Sequence, residues 1–139
     1  IVLVSKLDYL FGDMQRGDIV ICRYPGRTEG SLPLTAALGL TRHTLFVKRL
    51  VALPGDTLEI HGGLLYVNGA LSADPPAMAS TPRELARRTL GPDEYFVMGD
   101  NRFSSLDSRA EGVGPLRRTD LVAKVLLAVW PLSSIRAIH

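Results

Sequence analysis

The sequence predicts a mainly β fold, and two observations support this class. Short runs of β-branched and aromatic residues recur along the 139-residue chain, separated by Gly, Pro and Asp. Only one stretch, Thr81–Thr89, has the signature of a helix start. Because one domain is usual at this length, we expect residues 1–139 to form a single antiparallel β domain with one short helix.

Three strands are predicted in the first half of the chain. Ile1–Leu7 is rich in β-branched residues, and Ile19–Tyr24 is an apolar run that the Pro25–Gly26 pair is expected to end. The third, Thr44–Leu53, is almost entirely apolar, β-branched or aromatic up to the turn that follows it. Residues 27–42 are mixed in character and fit a loop that contains a short helix.

A hairpin and two further strands are predicted in the second half. Two alternating runs flank His61–Gly63, which is the pattern of a hairpin with a tight turn. Residues 70–80 are rich in Ala, Ser and Pro and indicate an exposed loop. Glu94–Met98 has the pattern of a strand that enters a turn, and Leu121–Trp130 is predicted to be the last long strand.

The predicted helix lies between the loop and the strand that enters the turn. Thr81 can cap its first turn, Pro82 suits the first helical position, and Glu84 completes a capping box. A Gly-Pro pair follows and would end the helix. These signals place it at Thr81–Thr89.

Composition and charge exclude several classes of function. Hydrophobic residues make up 46% of the chain and charged residues 22%, which is typical of a folded globular protein. The net charge of +2 is small and the charges are scattered, so the sequence does not predict nucleic-acid binding. The single cysteine, Cys22, excludes an intrachain disulfide and a zinc site built on cysteines. The three histidines are far apart and do not predict a metal site.

No segment of the sequence has the length of a membrane span. The nearest candidate, Leu121–Leu132, is shorter than the ~18–20 apolar residues that a spanning helix needs, and it contains Lys124. The chain opens on apolar residues without an initiator Met, which predicts that it was cut from within a larger protein.

Two adjacent cations, Lys48 and Arg49, interrupt the apolar strand Thr44–Leu53. Neighbouring side chains in a strand point to opposite faces, so one cation must lie on the side of Phe46 and Leu50. A lysine there can extend along apolar neighbours and keep its ammonium in water. Alternatively, burial lowers the pKa of the ammonium, and the amine then acts as a general base toward a serine hydroxyl.

A dense polar run, MGDNRFSSLDSR, occupies Met98–Arg109 directly after an apolar strand. It contains two carboxylates, two guanidiniums, one Asn and three hydroxyls. One interpretation is a turn whose Asp and Asn side chains bond their own backbone. The other is a functional site, because a surface loop needs no such concentration of polar groups.

Several segments together resemble the type I signal peptidases, membrane-anchored Ser–Lys endopeptidases that remove signal peptides from exported proteins. The resemblance rests on GDIVICRY, FVKRLVALPGDTLEI, YVNG and GDNRFSSLDSR, which occur in the family's order and spacing. The opening VLVSKLDYLFGDMQRGDIV and the closing WPLSSI are also similar to it. Only residues 27–42 and 70–89 lie outside the resemblance, which implies a small variable insertion at residues 61–92.

The resemblance implies roles for individual residues. Lys48 matches the general-base lysine, Ser105 matches the serine whose hydroxyl orients that lysine, and Val47 would wall the shallow pockets for small substrate side chains. The remaining matches form a supporting polar network: Asp107 would pair with Arg109, Arg49 would also reach Asp107, and Asp100 would begin the turn.

The nucleophile that the resemblance implies lies outside residues 1–139. In the family, a membrane helix and a serine box precede the segment that resembles VLVSK, so we expect both upstream of Ile1. We therefore expect residues 1–139 alone not to cleave. A smaller departure is Phe103–Ser104, where the family usually has Asp-Asn.

The implied function is a serine endopeptidase that cuts signal peptides from exported preproteins. It would be membrane-anchored with its catalytic domain on the extracytoplasmic side, and its partners would be signal peptides and the membrane surface. No metal or organic cofactor is implied. Two alternatives stay open. One is a self-cleaving repressor-type protein, which the missing helix-turn-helix pattern disfavours, and the other is an inactive relative that binds a peptide or membrane partner.

Overall fold

Two antiparallel sheets make up the described part of the chain, which comprises residues 2–5, 14–29, 42–72 and 80–128 of the computed structural model. The predicted mainly β fold is confirmed. The strands are β1 (Val2–Ser5), β2 (Ile19–Glu29), β3 (Arg42–Ala52), β4 (Thr57–His61), β5 (Leu64–Val67), β6 (Ala70–Leu71), β7 (Leu85–Thr89), β8 (Phe96–Met98) and β9 (Leu121–Ala128). A 3₁₀ turn over Arg118–Asp120 leads into β9.

The five-stranded sheet has the order β1–β9–β2–β3–β8, so β3 is hydrogen-bonded on both edges. On one edge, β2 places Val20 opposite Lys48 and Ile19 opposite Arg49. On the other edge, β8 places Met98 opposite Arg49. The two cations therefore lie in an interior strand, close to the start of the polar run that follows β8.

The apolar core consists of two clusters, and β3 and β8 contribute to both. Leu50 and Val97 belong to one cluster, whereas Val51 and Met98 belong to the other. Successive strand residues point to opposite faces, so these strands are covered on both sides. This explains why β3 has apolar residues at adjacent positions, such as Leu50 and Val51. The first cluster contains Met14, Val20, Cys22, Tyr24, Leu50, Val97, Leu116 and Leu121, and the second contains Val51, Ala52, Leu58, Ile60, Leu65, Val67, Leu90, Phe96 and Met98.

The second sheet has the order β6–β5–β4–β7. Its strands β4 and β5 form the hairpin predicted around His61–Gly63, with His61 opposite Leu64. Gly62 and Gly63 have φ values of 59° and 78°. A two-residue type I′ turn requires positive φ at both central positions, and glycine adopts such values without steric cost.

The prediction of a helix at Thr81–Thr89 is wrong, because this segment ends in strand β7, which pairs with β4. The residues of the supposed capping box bond elsewhere. Thr81 donates its backbone N–H to the Gly63 carbonyl over 2.8 Å. The Glu84 carboxylate accepts the backbone N–H of Gly62 over 3.0 Å. Pairing with the hairpin thus outweighs a local helix signal of modest strength.

The strand predicted at Ile19–Tyr24 continues past Pro25 to Glu29. The register with β3 shifts between Arg23 and Thr28. Pro25 has no backbone N–H, and it lies in this irregular part of the ladder. The proline therefore interrupts the pairing without ending the strand.

Other predictions fall partly outside the described residues. The strand predicted at Ile1–Leu7 is described only as β1, and that at Leu121–Trp130 only as β9. Three further segments lie outside the described residues. They are residues 30–41, where a short helix is predicted, residues 73–79 of the predicted loop, and the WPLSSI segment. Among the described residues there is no helix of the length and apolar character that a membrane crossing requires.

Candidate active site

Lys48, on β3, contacts Ser105, which lies in the loop after β8. The Nζ of Lys48 donates a hydrogen bond to the Oγ of Ser105 over 2.8 Å. Lys48 is only 9% exposed, which is rare for a lysine. The two residues are 57 positions apart in the chain. Their contact therefore depends on the pairing of β3 with β8 and not on local sequence.

Burial lowers the pKa of the Lys48 ammonium below its ordinary value, because the charged form loses hydration. The Asp107 carboxylate opposes this lowering, and the Arg109 guanidinium adds to it. Burial also raises the pKa of the nearby Cys22 thiol to about 12, so this thiol is neutral. A lysine with a lowered pKa has a larger neutral fraction near pH 7, and the neutral amine can accept a proton from a hydroxyl.

An aromatic pair lies beside Lys48. Phe46, two positions earlier on the same face of β3, has its ring centroid 5.9 Å from the Lys48 Nζ. The Tyr24 ring stacks on Phe46 with centroids 4.1 Å apart and planes inclined by 11°. The Tyr24 hydroxyl donates to the carbonyl of Leu106 over 2.6 Å. This bond holds the residue that follows Ser105.

Asp107 and Arg109 form the ion pair that the sequence predicted. The Nε and Nη2 of Arg109 each donate to one carboxylate oxygen of Asp107 over 2.8 Å. The Asp107 and Arg109 side chains are 0% and 4% exposed. Asp107 also accepts the backbone N–H of Gly99 over 2.9 Å. Burial alone would raise the pKa of Asp107, but the hydrogen bonds from Arg109 and Gly99 outweigh it and lower that pKa.

Arg49 pairs with Asp100, whereas Asp107 was the predicted partner. The Nε and Nη2 of Arg49 donate to the two oxygens of Asp100 over 2.8 and 2.9 Å. The Nη1 donates to the carbonyl of Gly17 over 2.9 Å. The difference follows from register, because Arg49 lies opposite Met98 and Asp100 comes two residues later. The pair anchors the start of the polar loop to β3.

Val47 is half-buried and lies opposite Ile21 on β2. Its contribution to substrate binding stays a prediction. Within the described ranges, no three His, Cys, Asp or Glu side chains come together as metal ligands do.

A known family accounts for most of the chain. Residues 1–130 match the family model described as signal peptidase, peptidase S26. The chain belongs to this signal peptidase family. The catalytic and supporting roles assigned to individual residues from the resemblance stay predictions, although the geometry brings Lys48, Ser105 and the two ion pairs together.

Relatives in the signal peptidase family span several organisms. The chain is 35% identical to Signal peptidase I P of Bacillus subtilis subsp. natto, over 97% of this chain and 70% of that protein. It is 30% identical to "Probable signal peptidase I-2" of Synechocystis, over 94% of this chain and 55% of that protein. A crystal structure of a signal peptidase I from Enterococcus faecalis matches with a TM-score of 0.60 and 25% identity, over 83% of this chain and 97% of that chain. The chain thus spans 55% of the length of the Synechocystis relative.

Sequence reasoning missed three residues of this candidate site. Gly99 touches Ser105, Arg102 is buried within the loop, and Tyr24 holds the backbone of Leu106. The available signals were weak: a glycine at the end of an apolar strand, an arginine in a polar run, and a hydroxyl-bearing aromatic in an apolar strand.

Proposed function

We propose that this chain is the catalytic domain of a type I signal peptidase, a serine endopeptidase that removes signal peptides from exported preproteins. The 2.8 Å contact between Lys48 Nζ and Ser105 Oγ carries the proposal, because it is made by a buried lysine with a lowered pKa. Members of the matching family act on the signal peptides of preproteins. A single domain over residues 1–139, with a variable insertion at 61–92, belongs to the same proposal.

In the proposed mechanism, Lys48 is the general base. Its neutral amine takes the proton of a nucleophilic serine, which under this proposal lies upstream of Ile1, as the serine oxygen attacks the scissile carbonyl. The amine then gives this proton to the leaving amino group, and the C–N bond breaks to leave an acyl-enzyme. Lys48 next takes a proton from water as the water oxygen attacks the ester carbonyl, and it returns this proton to the serine oxygen as the acyl C–O bond breaks and the new carboxyl end of the signal peptide leaves. Backbone N–H groups near that serine would stabilise the oxyanion.

Other residues position the base and the substrate. The Ser105 hydroxyl accepts a hydrogen bond from the Lys48 amine and so fixes its direction. Val47 would line the pocket for a small substrate side chain. The ion pairs that hold the polar loop in place are Asp107–Arg109 and Arg49–Asp100.

The location follows from the same proposal. In the complete protein, an anchor would hold this domain at the extracytoplasmic membrane surface, where signal peptides of exported proteins become accessible. The proposed partners are the signal peptide and the membrane surface, which the sequence also predicted.

Cleavage of a preprotein tests the proposed function. The complete protein in detergent micelles is incubated with a preprotein, and the mature product is identified by mass and N-terminal sequence. We expect one cut after a small residue, and no product with Lys48→Ala. A folded complete protein that binds the signal peptide without cutting it would favour the inactive binding relative instead.

A further inference from the structure

Arg102 is a buried charge in the polar loop that the proposed mechanism does not use. The residue is only 3% exposed. Its Nε donates to the carbonyl of Gly99 over 3.0 Å, and its Nη1 lies 3.5 Å from the Oγ1 of Thr81. Its own backbone carbonyl accepts the Nη1 of Arg109 over 2.8 Å. Burying a guanidinium is costly, because the charged group loses its hydration.

Arg102 and Asp107 together hold the two backbone polar groups of Gly99. The N–H of Gly99 is held by Asp107 over 2.9 Å, and its carbonyl is held by Arg102. Both peptide groups that flank this glycine are therefore bonded to buried charged side chains. A β-carbon at Gly99 would overlap Ser105 and would lie 3.4 Å from the Lys48 Nζ. The position of Gly99 thus sets the space in which these two side chains meet.

Thr81 extends this arrangement to the second sheet. It is 2% exposed, and its backbone N–H donates to the carbonyl of Gly63 in the β4–β5 turn over 2.8 Å. Its hydroxyl oxygen faces the Arg102 guanidinium. The hairpin therefore reaches the Lys48–Ser105 pair through a continuous series of contacts.

We propose that Arg102 is a positioning residue that acts through Gly99 on the Lys48–Ser105 pair, and that Thr81 supplies the second sheet's part in this arrangement. The inference rests on the proposed function. Without Arg102, the Gly99 carbonyl loses its buried donor and the loop can shift, so that the Ser105 hydroxyl no longer fixes the amine. A displacement of about 1 Å in such a site lowers turnover by about 100-fold.

Four variants of the complete protein in detergent test the inference. Arg102→Met removes every donor, Arg102→Lys keeps the charge and one donor group, and Thr81→Val removes the hydroxyl without changing the side-chain shape. Arg87→Met is the matched control, because Arg87 is an exposed arginine on β7. For each variant, kcat, KM and the pH dependence of kcat are measured with a preprotein substrate, and a thermal melt reports folding.

We expect Arg102→Met to lower kcat by about 10- to 100-fold with KM unchanged, because Arg102 is buried and the loss is one of positioning. The midpoint of the kcat–pH profile should move upward, since water that enters the loosened site favours the charged amine. Arg102→Lys should restore part of the activity, Thr81→Val should show a smaller loss, and Arg87→Met should match the parent.

A second readout does not depend on turnover. The rate at which a small amine-reactive reagent labels Lys48 is followed against pH by mass spectrometry, and its midpoint should rise in Arg102→Met. If the parent protein does not cleave the preprotein, the proposed function is contradicted. The comparison of labelling midpoints between the parent and Arg102→Met still tests whether Arg102 positions Lys48.

Two results would overturn the inference. One is a folded Arg102→Met enzyme with the parental kcat and the parental labelling midpoint. The other is a loss of activity that follows the melting temperature while both midpoints stay unchanged, since that marks a role in stability alone. Arg102→Met is replaced in this test if it does not fold. In that case the inference is overturned when Arg102→Lys and Thr81→Val both have the parental kcat and the parental midpoints of the kcat–pH profile and of Lys48 labelling.

Discussion

Gly99 lies directly against Ser105, so closely that a β-carbon on Gly99 would overlap both the hydroxyl and the β-carbon of that serine. Gly99 is not among the glycines with positive φ. The requirement for glycine here is therefore one of space and not of backbone conformation. The hydrogen bond between Ser105 and Lys48 exists because position 99 has no side chain.

The first prediction follows from this contact. Gly99→Ala should separate Ser105 from Lys48 and lower kcat by about 100-fold, the usual consequence of a displacement of about 1 Å in a catalytic site. The measurement is steady-state preprotein cleavage, with a thermal melt to confirm folding. Gly112→Ala is a close control, because the space around Gly112 is open and its φ is not positive. Parental activity in Gly99→Ala would show that the loop adjusts freely.

The second prediction concerns the buried Asp107–Arg109 pair. Asp107→Ala leaves the Arg109 guanidinium buried without its carboxylate, which should lower the free energy of unfolding by about 3–5 kcal/mol. Chemical denaturation of parent and variant measures the difference. Arg88→Ala is the control, because the Arg88–Glu94 pair is 41% and 39% exposed, and such a pair contributes about 0–1 kcal/mol. If Asp107→Ala lowers the free energy of unfolding no more than Arg88→Ala does, the buried pair contributes no more to stability than the exposed pair.

The stabilisation by Asp107 should also depend on pH. Its pKa is lowered in the folded protein, so its contribution is complete above the ordinary carboxyl pKa of about 3.9 and is lost as pH falls through the lowered value. The difference in unfolding free energy between parent and Asp107→Ala should therefore narrow in strong acid. A difference that stays constant from pH 7 to strong acid would contradict the lowered pKa.

The third prediction concerns the stability cost of Lys48. Because its pKa is lowered by folding, the protonated lysine destabilises the folded state, and this cost disappears as pH rises from the lowered pKa toward about 10.4. Lys48→Met carries no such charge. The stability of the parent should therefore rise relative to Lys48→Met over this pH interval, as measured by denaturation at several pH values. A relative stability that falls with pH would mean that the pKa of Lys48 is raised.

Sequence pattern could predict most of the strands, but not β6 or β7, and the family resemblance could predict the Lys48–Ser105 contact. Alternation and apolar runs indicate strands directly, and the polar loop resembles a known motif. The capping box at Thr81 is a local signal that pairing with the hairpin overrides. Arg49 pairs with Asp100 because of the register between β3 and β8. Gly99 lies close to Ser105 because of the path by which the loop returns to β3. None of these is encoded in a short segment.

The dependence of the initial cleavage rate on pH, for the parent and Lys48→Arg, tests the claim that Lys48 is the general base. The parent rate should rise with pH through the lowered lysine pKa and should not follow a histidine titration near about 6.5. Lys48→Arg should abolish cleavage, because a guanidinium stays protonated. Lys124→Arg should cleave like the parent, since an arginine can keep the ion pair that Lys124 makes with Asp18. Equal rates for the parent and Lys48→Arg would contradict the claim.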